Sequence, residues 1–296
     1  MSAINESIMQ RTTLGQLVEH YGWDLVPAFA SGVTITSLAS DVESVTPGAL
    51  VILGDDADVD KLHRARARGA YAALVPPSTR GALLADADLP LLFANPTSQQ
   101  LGLLTSRMAG NPSASLAVFA VCGSTARQNA AVVSQLTRFL HMLGNPVGML
   151  SVAGSYSLER DLNLTYPLNM LDVQRSLAVC SEDGVAAVAV SLDDLTVSAH
   201  GMQAVNVDVL GSMQPVPPNA DQAFIERLQD EYGFKTENPI KVTVRTLESD
   251  ALARQAAGAL SQEDEQRLSL AIAMVLAAGV HRTNIRSALR MAKELQ

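Results

Sequence analysis

Aromatic side chains are scarce in this chain, 4% of 296 residues with a single tryptophan. That leaves little for the stacking platforms on which proteins hold single-stranded nucleic acid. Cysteine is nearly absent as well. Cys122 and Cys180 are the only two; they make no CxxC pair, no disulfide framework and no cysteine-rich zinc site. Positive charge is not in excess either. With 21 basic and 30 acidic residues the net charge is −9, a surface that repels phosphate backbones and anionic lipid. No apolar run reaches the ~18 residues of a membrane-spanning helix, and the opening MSAINESIMQRT lacks the basic stretch and apolar core of a secretory signal. The expectation is a cytoplasmic protein that binds neither nucleic acid nor membrane. A local pocket for a small anion stays compatible with this charge balance.

What is present is apolar and patterned. Hydrophobic residues make up 48% and charged residues 17%, enough for packed cores without disulfides or metals. At ~150 residues per domain the length suggests two domains. Helical and strand patterns alternate, which predicts an α/β architecture. Leu14, Leu17, Val18 and Tyr21 line one face of an opening helix. The turn Thr46-Pro47-Gly48 leads into the apolar run Ala49 to Leu53. Asp58 to Arg68 reads as a helix ending at Gly69, and Tyr71 to Val75 as the next strand, stopped by Pro76 and Pro77. After a helix over Gln99 to Met108, the turn Gly110 to Ser113 marks a boundary that divides the chain into 1–110 and 111–296.

The second part reads as a doubly wound sheet. Leu116 to Cys122 is continuously apolar, as a central parallel strand should be. A helix from about Arg127 to Leu143 follows, then a strand over Val147 to Val152, a helix over Leu171 to Ser181, and a strand over Val185 to Val190. Gly211 to Asn219 reads as a loop, Ala223 to Tyr232 as a helix, and Ile240 to Leu247 alternates like a half-exposed strand. Helices over Glu263 to Ala278 and Thr283 to Leu295 close the chain.

The chemistry-bearing segment is Val121 to Ala130, VCGSTARQNA, set between a buried strand and a helix N-terminus. Backbone N–H groups and the helix dipole converge at such a loop and favour phosphate. A working phosphate loop adds a wrapping glycine, a lysine and a metal-binding hydroxyl. Here those places hold Ala126, Arg127 and Gln128. Alanine resists positive φ, and a planar guanidinium replaces a compact ammonium. The candidate phosphate or nucleotide site is therefore a remnant, Gly123, Ser124, Thr125, Ala126, Arg127 and Gln128.

The order of segments resembles the first two domains of the Mur ligases, in particular the branch that adds the third residue of the peptidoglycan stem peptide. Ser37 to Leu53 with the helix and RGAYAALVPP that follow is similar to the family's uridine-diphosphate-binding domain. NPSASLAVFAVCGS is similar to the entry into its ATPase domain, and TYPLNMLDVQRSLAVCSEDGVAAVAVS to its Thr-Thr-Pro segment, helix and next strand. LSLAIAMVLAAGVHRTNIRSAL resembles the helix pair that closes the central domain. The resemblance implies a Mur-ligase-like N-terminal domain of uridine-binding type and a P-loop-like central domain.

The same resemblance implies ATP-driven activation of a carboxylate and attack by an amine, and most residues that would carry this are changed. The family's phosphate loop aligns with Ala120, Gly123, Ala126, Arg127 and Gln128. Its metal-binding glutamate aligns with Ala189. Ser191 is kept, but Asp193 stands for a histidine, and an alternative placement on Ser198 to Gly201, with His200, supplies no acid. Asp193 and Asp194 are the weak metal candidates. Asn219-Ala220-Asp221 matches a remnant of the family's Asn-Ala-Asp-Asp motif, and no lysine stands between Ser191 and Asn219 for carbamoylation. The uridine-site triplet Asp-Ser-Arg becomes Asp41, Val42 and Glu43. The chain ends at Gln296, so the resemblance implies that the third domain is missing.

Losing one charge-stabilising donor costs roughly 100- to 1000-fold in rate, and here several are lost together. The sequence thus points to a catalytically degenerate Mur-ligase-like scaffold, with no cofactor of its own, acting through a protein partner or as a homo-oligomer. An ATP- and Mg²⁺-dependent acid–amine ligase completed by a partner chain is the alternative, and a small anion bound at the Arg127 loop is a third. Cys122 reads as a core residue and His200 as a surface residue.

Overall fold

The computed structural model describes residues 11–123, 125–215, 221–236, 240, 242–256 and 261–294. The chain divides into two compact units, Met1–Asn111 and Pro112–Gln296.

In the first unit a short strand, β1 (Thr12–Thr13), leads into helix α1 (Leu14–Tyr21). Thr13 caps this helix and Gln16 reaches back to the Thr13 N–H, a reciprocal capping box. Strands β2 (Asp24–Val26), β3 (Thr34–Ile35), β4 (Ser37–Ala39) and β5 (Ala49–Ile52) follow. Helix α2 (Val59–Ala67), with Asp58 as its N-cap, precedes β6 (Ala70–Val75). The single-turn helix α3 (Arg80–Leu83), β7 (Leu91–Phe93) and α4 (Ser98–Met108) complete the unit. The five-stranded sheet runs β2-β7-β6-β5-β4. Strands β4 to β7 are parallel and β2 is antiparallel to β7. Val51, Ala73 and Val75 pack with Leu62 and Ala65 of α2 in one core cluster.

In the second unit β8 (Ala117–Cys122) feeds α5 (Ala126–Met142), followed by β9 (Val147–Leu150), the short hairpin β10 (Tyr156–Ser157) and β11 (Arg160–Asp161), and α6 (Met170–Glu182). Then come β12 (Ala187–Ser191), β13 (Val209–Ser212), α7 (Asp221–Tyr232), α8 (Leu247–Ala256), α9 (Gln262–Ala277) and α10 (Arg282–Glu294). The sheet order is β11-β10-β9-β12-β8-β13, with β9, β12, β8 and β13 parallel. The apolar run of β8 has two faces to satisfy. Val118, Ala120 and Cys122 pack with Val173, Leu177 and Cys180 of α6. Phe119 and Val121 pack with Val132, Leu136 and Phe139 of α5. A strand covered on both faces cannot alternate with polar residues, which is why this run is unbroken.

Two readings of the sequence are corrected. Gly211 and Ser212 are not loop but the end of β13; this strand is only four residues long, too short for a pattern to stand out. Among the described residues from Ile240 to Leu247 there is no strand, and Lys241 lies outside them. Only Thr243 bridges to Gly211, and Leu247 already begins α8. Thr246 and Ser249 exchange backbone-to-hydroxyl hydrogen bonds of 2.9 and 3.0 Å at that helix start. This local capping competes successfully with strand pairing.

Candidate functional site

The carboxyl ends of β8, β12 and β13 meet at one edge of the second unit's sheet, the place where open α/β sheets bind ligands. Gly123 follows β8 with φ +80, and a Cβ there would lie 2.5 Å from the Ser212 hydroxyl at the end of β13. Ser212 is itself held by Gln214, donating to its carbonyl at 3.0 Å and accepting from its N–H at 3.2 Å. The glycine thus makes room for a neighbouring side chain. Thr125 is the N-cap of α5; its hydroxyl accepts the Gln128 N–H at 3.4 Å and its carbonyl accepts the Asn129 N–H at 2.9 Å. Ser124 lies outside the described residues. Ala126 starts the helix.

Positive charge does gather here. Arg127 is exposed on the first turn of α5 and forms no ion pair among the described residues. Arg227 of α7 lies 5.0 Å over the Phe224 ring, and the same ring would sit 3.8 Å from a Cβ on Gly123. No pattern in the sequence singled out Arg227, because α7 reaches the loop only through the tertiary fold. Cys122 is fully buried. Burial pushes its thiol up to about 12, slightly offset by the Arg227 charge, so it is neither nucleophile nor metal ligand at ordinary pH.

Asp193 and Asp194 are adjacent in sequence but not in role. Asp193 is buried. Its carboxylate accepts the Ser191 hydroxyl, the Leu195 and Thr196 N–H groups at 3.2 and 3.0 Å, and the Thr196 hydroxyl at 3.3 Å. Those donors saturate it. Asp194 is exposed and accepts the Tyr232 hydroxyl at 3.1 Å. Among the described residues no group of three or more His, Cys, Asp or Glu side chains is placed to hold a metal. His200 is exposed with φ 56, its N–H bonded to the Glu231 carbonyl. Asp221 opens α7, while Asn219 and Ala220 lie outside the described residues.

In the first unit, Asp41 builds its own turn. It accepts the Ser44 N–H at 2.8 Å and the Ser40 hydroxyl at 3.1 Å. Burial alone would raise its pKa, but the hydrogen bonds from Ser44, Ser40 and Glu43 together hold it below the usual value. Val42 is a core residue. Glu43 is exposed and ion-paired with Arg64 of α2 and with Arg68, the C-cap of that helix.

No protein-family model matches the chain. The sequence is 31% identical over 192 residues to the UDP-N-acetylmuramoyl-L-alanyl-D-glutamate–2,6-diaminopimelate ligase of Pseudomonas aeruginosa, a match covering 63% of this chain and 38% of that protein. The same-named ligase of Ectopseudomonas mendocina is 31% identical over 184 residues, 60% of this chain and 36% of the relative. A solved structure of a ligase of that name superimposes over 97% of this chain and 67% of its own, with a TM-score of 0.63 at 14% identity. MurF from Acinetobacter baumannii gives 0.57 at 14% identity, covering 95% and 68%.

The chain is a relative of the Mur ligases.

The match spans well under half the length of these curated relatives. Set against the Mur-ligase pattern, the donor set for Mg²⁺ and ATP does not fit. Ala189, which the resemblance aligns with the family's metal-binding glutamate, is buried in the core layer facing α5. The loop has no lysine, Thr125 is engaged as a cap, and Asp193 is closed by its own turn. Among the described residues no helix is long and apolar enough to cross a membrane.

Proposed function

We propose that this chain is a catalytically degenerate Mur-ligase relative that acts as a binding or interaction scaffold. The observation that carries this reading is the use made of the polar groups at the β8 and β12 ends. Gly123 accommodates Ser212, Thr125 caps α5, and Asp193 closes its own loop. Each serves the fold, so none is left pre-aimed at a transferring phosphoryl group, where catalysis depends on positioning and charge neutralisation. The partner in this reading is a second copy of the chain or a full-length ligase of the same cell.

The test is calorimetric titration of the purified chain with ATP and ADP, with and without Mg²⁺. Absence of Mg²⁺-dependent binding supports the scaffold. Micromolar, Mg²⁺-dependent binding overturns it and favours an ATP-dependent acid–amine ligase. Sedimentation of the chain alone, and mixed with a full-length diaminopimelate-adding ligase of the same cell, then separates the self-associating from the partner-bound form.

One observation favours a second reading, that the loop binds a small anion without phosphoryl transfer. Arg127 stands on the first turn of α5 and Arg227 over the Phe224 ring beside Gly123, and a helix N-terminus with guanidinium groups suffices for an oxyanion. Mg²⁺-independent binding that disappears in Arg127→Ala would support it, and binding unaffected by that change would remove it.

A further inference from the structure

We infer that the first unit carries a separate pocket for a small molecule bearing a carboxylate or phosphate group, held by Arg11, Arg107 and the hydroxyl of Tyr21. The cavity measures about 550 Å³ and lies along α1 and the end of α4, lined also by Gln16, Glu19 and His20. That volume falls in the range of ordinary ligand sites, about 300–1,000 Å³. It shares no residue with Asp41, Val42 and Glu43, and it does not depend on the reading of the Arg127 loop.

Two independent observations meet in this cavity. The first is a distribution of charge. Lys61, Arg64, Arg66, Arg68 and Arg80 each pair with a carboxylate. Arg11 and Arg107, the remaining basic side chains among the described residues of the unit, have no such partner, and both line this cavity. In a chain with 30 acidic and 21 basic residues, two unpaired arginines lining one cavity point to an anion from outside. Glu19 lines the same cavity yet pairs with neither.

The second observation is an orphaned hydroxyl. The Tyr21 oxygen is buried and has no hydrogen-bond partner, a state that native structures avoid unless water or a ligand serves the group. The ring cannot swing away to solve this. It stacks on Trp23 at 4.7 Å and 18°, and His20 meets it edge-on at 4.5 Å. Burial raises the Tyr21 pKa, with the nearby Arg107 charge pulling against it, so the hydroxyl keeps its proton and donates. A carboxylate or phosphate supplies the acceptor that the hydroxyl and both guanidiniums lack.

Trp23 is the only tryptophan, so its emission reports on the Tyr21 stack. The experiment titrates inorganic phosphate and succinate separately into the full chain at constant ionic strength, followed by Trp23 fluorescence and by calorimetry. A saturable change is expected with at least one probe, and the tighter probe identifies the class of group. Arg107→Gln and Arg11→Gln should each weaken it about tenfold or more. Tyr21→Phe keeps the stack and should also weaken it, while Arg175→Gln, on α6 of the second unit, should leave it unchanged. Thermal unfolding of each variant confirms a folded chain. The inference is overturned if neither probe saturates up to tens of millimolar, on the order of the weakest specific binding. It is equally overturned if Arg107→Gln and Arg11→Gln bind as wild type, or if only Arg127→Gln loses binding.

Discussion

The Ser212 hydroxyl stands where a side chain on residue 123 would project, 2.5 Å from the position of its Cβ. A glycine in a phosphate loop is ordinarily explained by the backbone's need to approach the ligand. Here a side chain from β13 fills that space, and the glycine answers to packing.

Gly123→Ala should therefore destabilise the chain, by about 2 kcal/mol or more, through both its positive φ and the contact with Ser212. Denaturant unfolding measures this. In a Ser212→Ala background the contact is relieved, and only the backbone cost of about 1–2 kcal/mol should remain. Equal costs in both backgrounds would show that Ser212 does not crowd residue 123.

Asp193→Ala should cost about 2–3 kcal/mol, because it strips a buried carboxylate from four donors, of which only the Thr196 N–H keeps a second acceptor, the backbone carbonyl of residue 193. A metal ligand would instead reveal itself through stabilisation by the ion. The unfolding midpoint of the wild-type chain is expected to be the same in EDTA and in excess Mg²⁺. A midpoint that rises with Mg²⁺ and loses that rise in Asp193→Ala would assign the residue to a metal.

Glu43 is exposed and bridges Arg64 and Arg68, so Glu43→Gln should cost less than about 1 kcal/mol and the loss should shrink at high salt. Glu43→Arg adds a third like charge at the same place and should cost more, again most at low salt. Unfolding midpoints at two salt concentrations test both. A cost independent of salt would mean that Glu43 acts through packing.

Both cysteines are buried, and burial is the main cause that pushes Cys122 up to about 12 and Cys180 up to about 11. The sign follows from linkage. The folded state keeps these protons more tightly than the unfolded chain, whose thiols titrate near about 8.5. Their contribution to stability is full below that value and falls as pH rises from there toward the folded pKa. Neither thiol should react with a disulfide reagent at pH 8 in the native chain, and both should react once it is unfolded. Rapid labelling of the native protein at either position would contradict this burial.

The sequence by itself determined what depends on neighbours a few residues apart. The unbroken run ending at Cys122 is dictated by helices on both faces of β8. The cap residues Thr13, Asp58 and Thr125 sit at helix starts because a hydroxyl or carboxylate there satisfies an otherwise open N–H. Gly69, with φ +102, ends its helix as read. That the loop carries Arg127 and no lysine was also visible, since it needs only identity and order.

What the tertiary structure decided is which distant groups meet. Nothing local says that β13 settles beside β8 and sets Ser212 against Gly123, or that α7 brings Phe224 and Arg227 to the same loop. The alternation of Ile240 to Leu247 suited a strand, yet the Thr246 cap converts its end into a helix. Arg11 and Tyr21 flank the same short helix, but Arg107 stands far along the chain, and only the tertiary fold brings it to the cavity that all three line. Local propensity fixes elements through short-range hydrogen bonds and periodic burial. Partnership between elements is settled by the close-packed interior, and candidate sites are made of those partnerships.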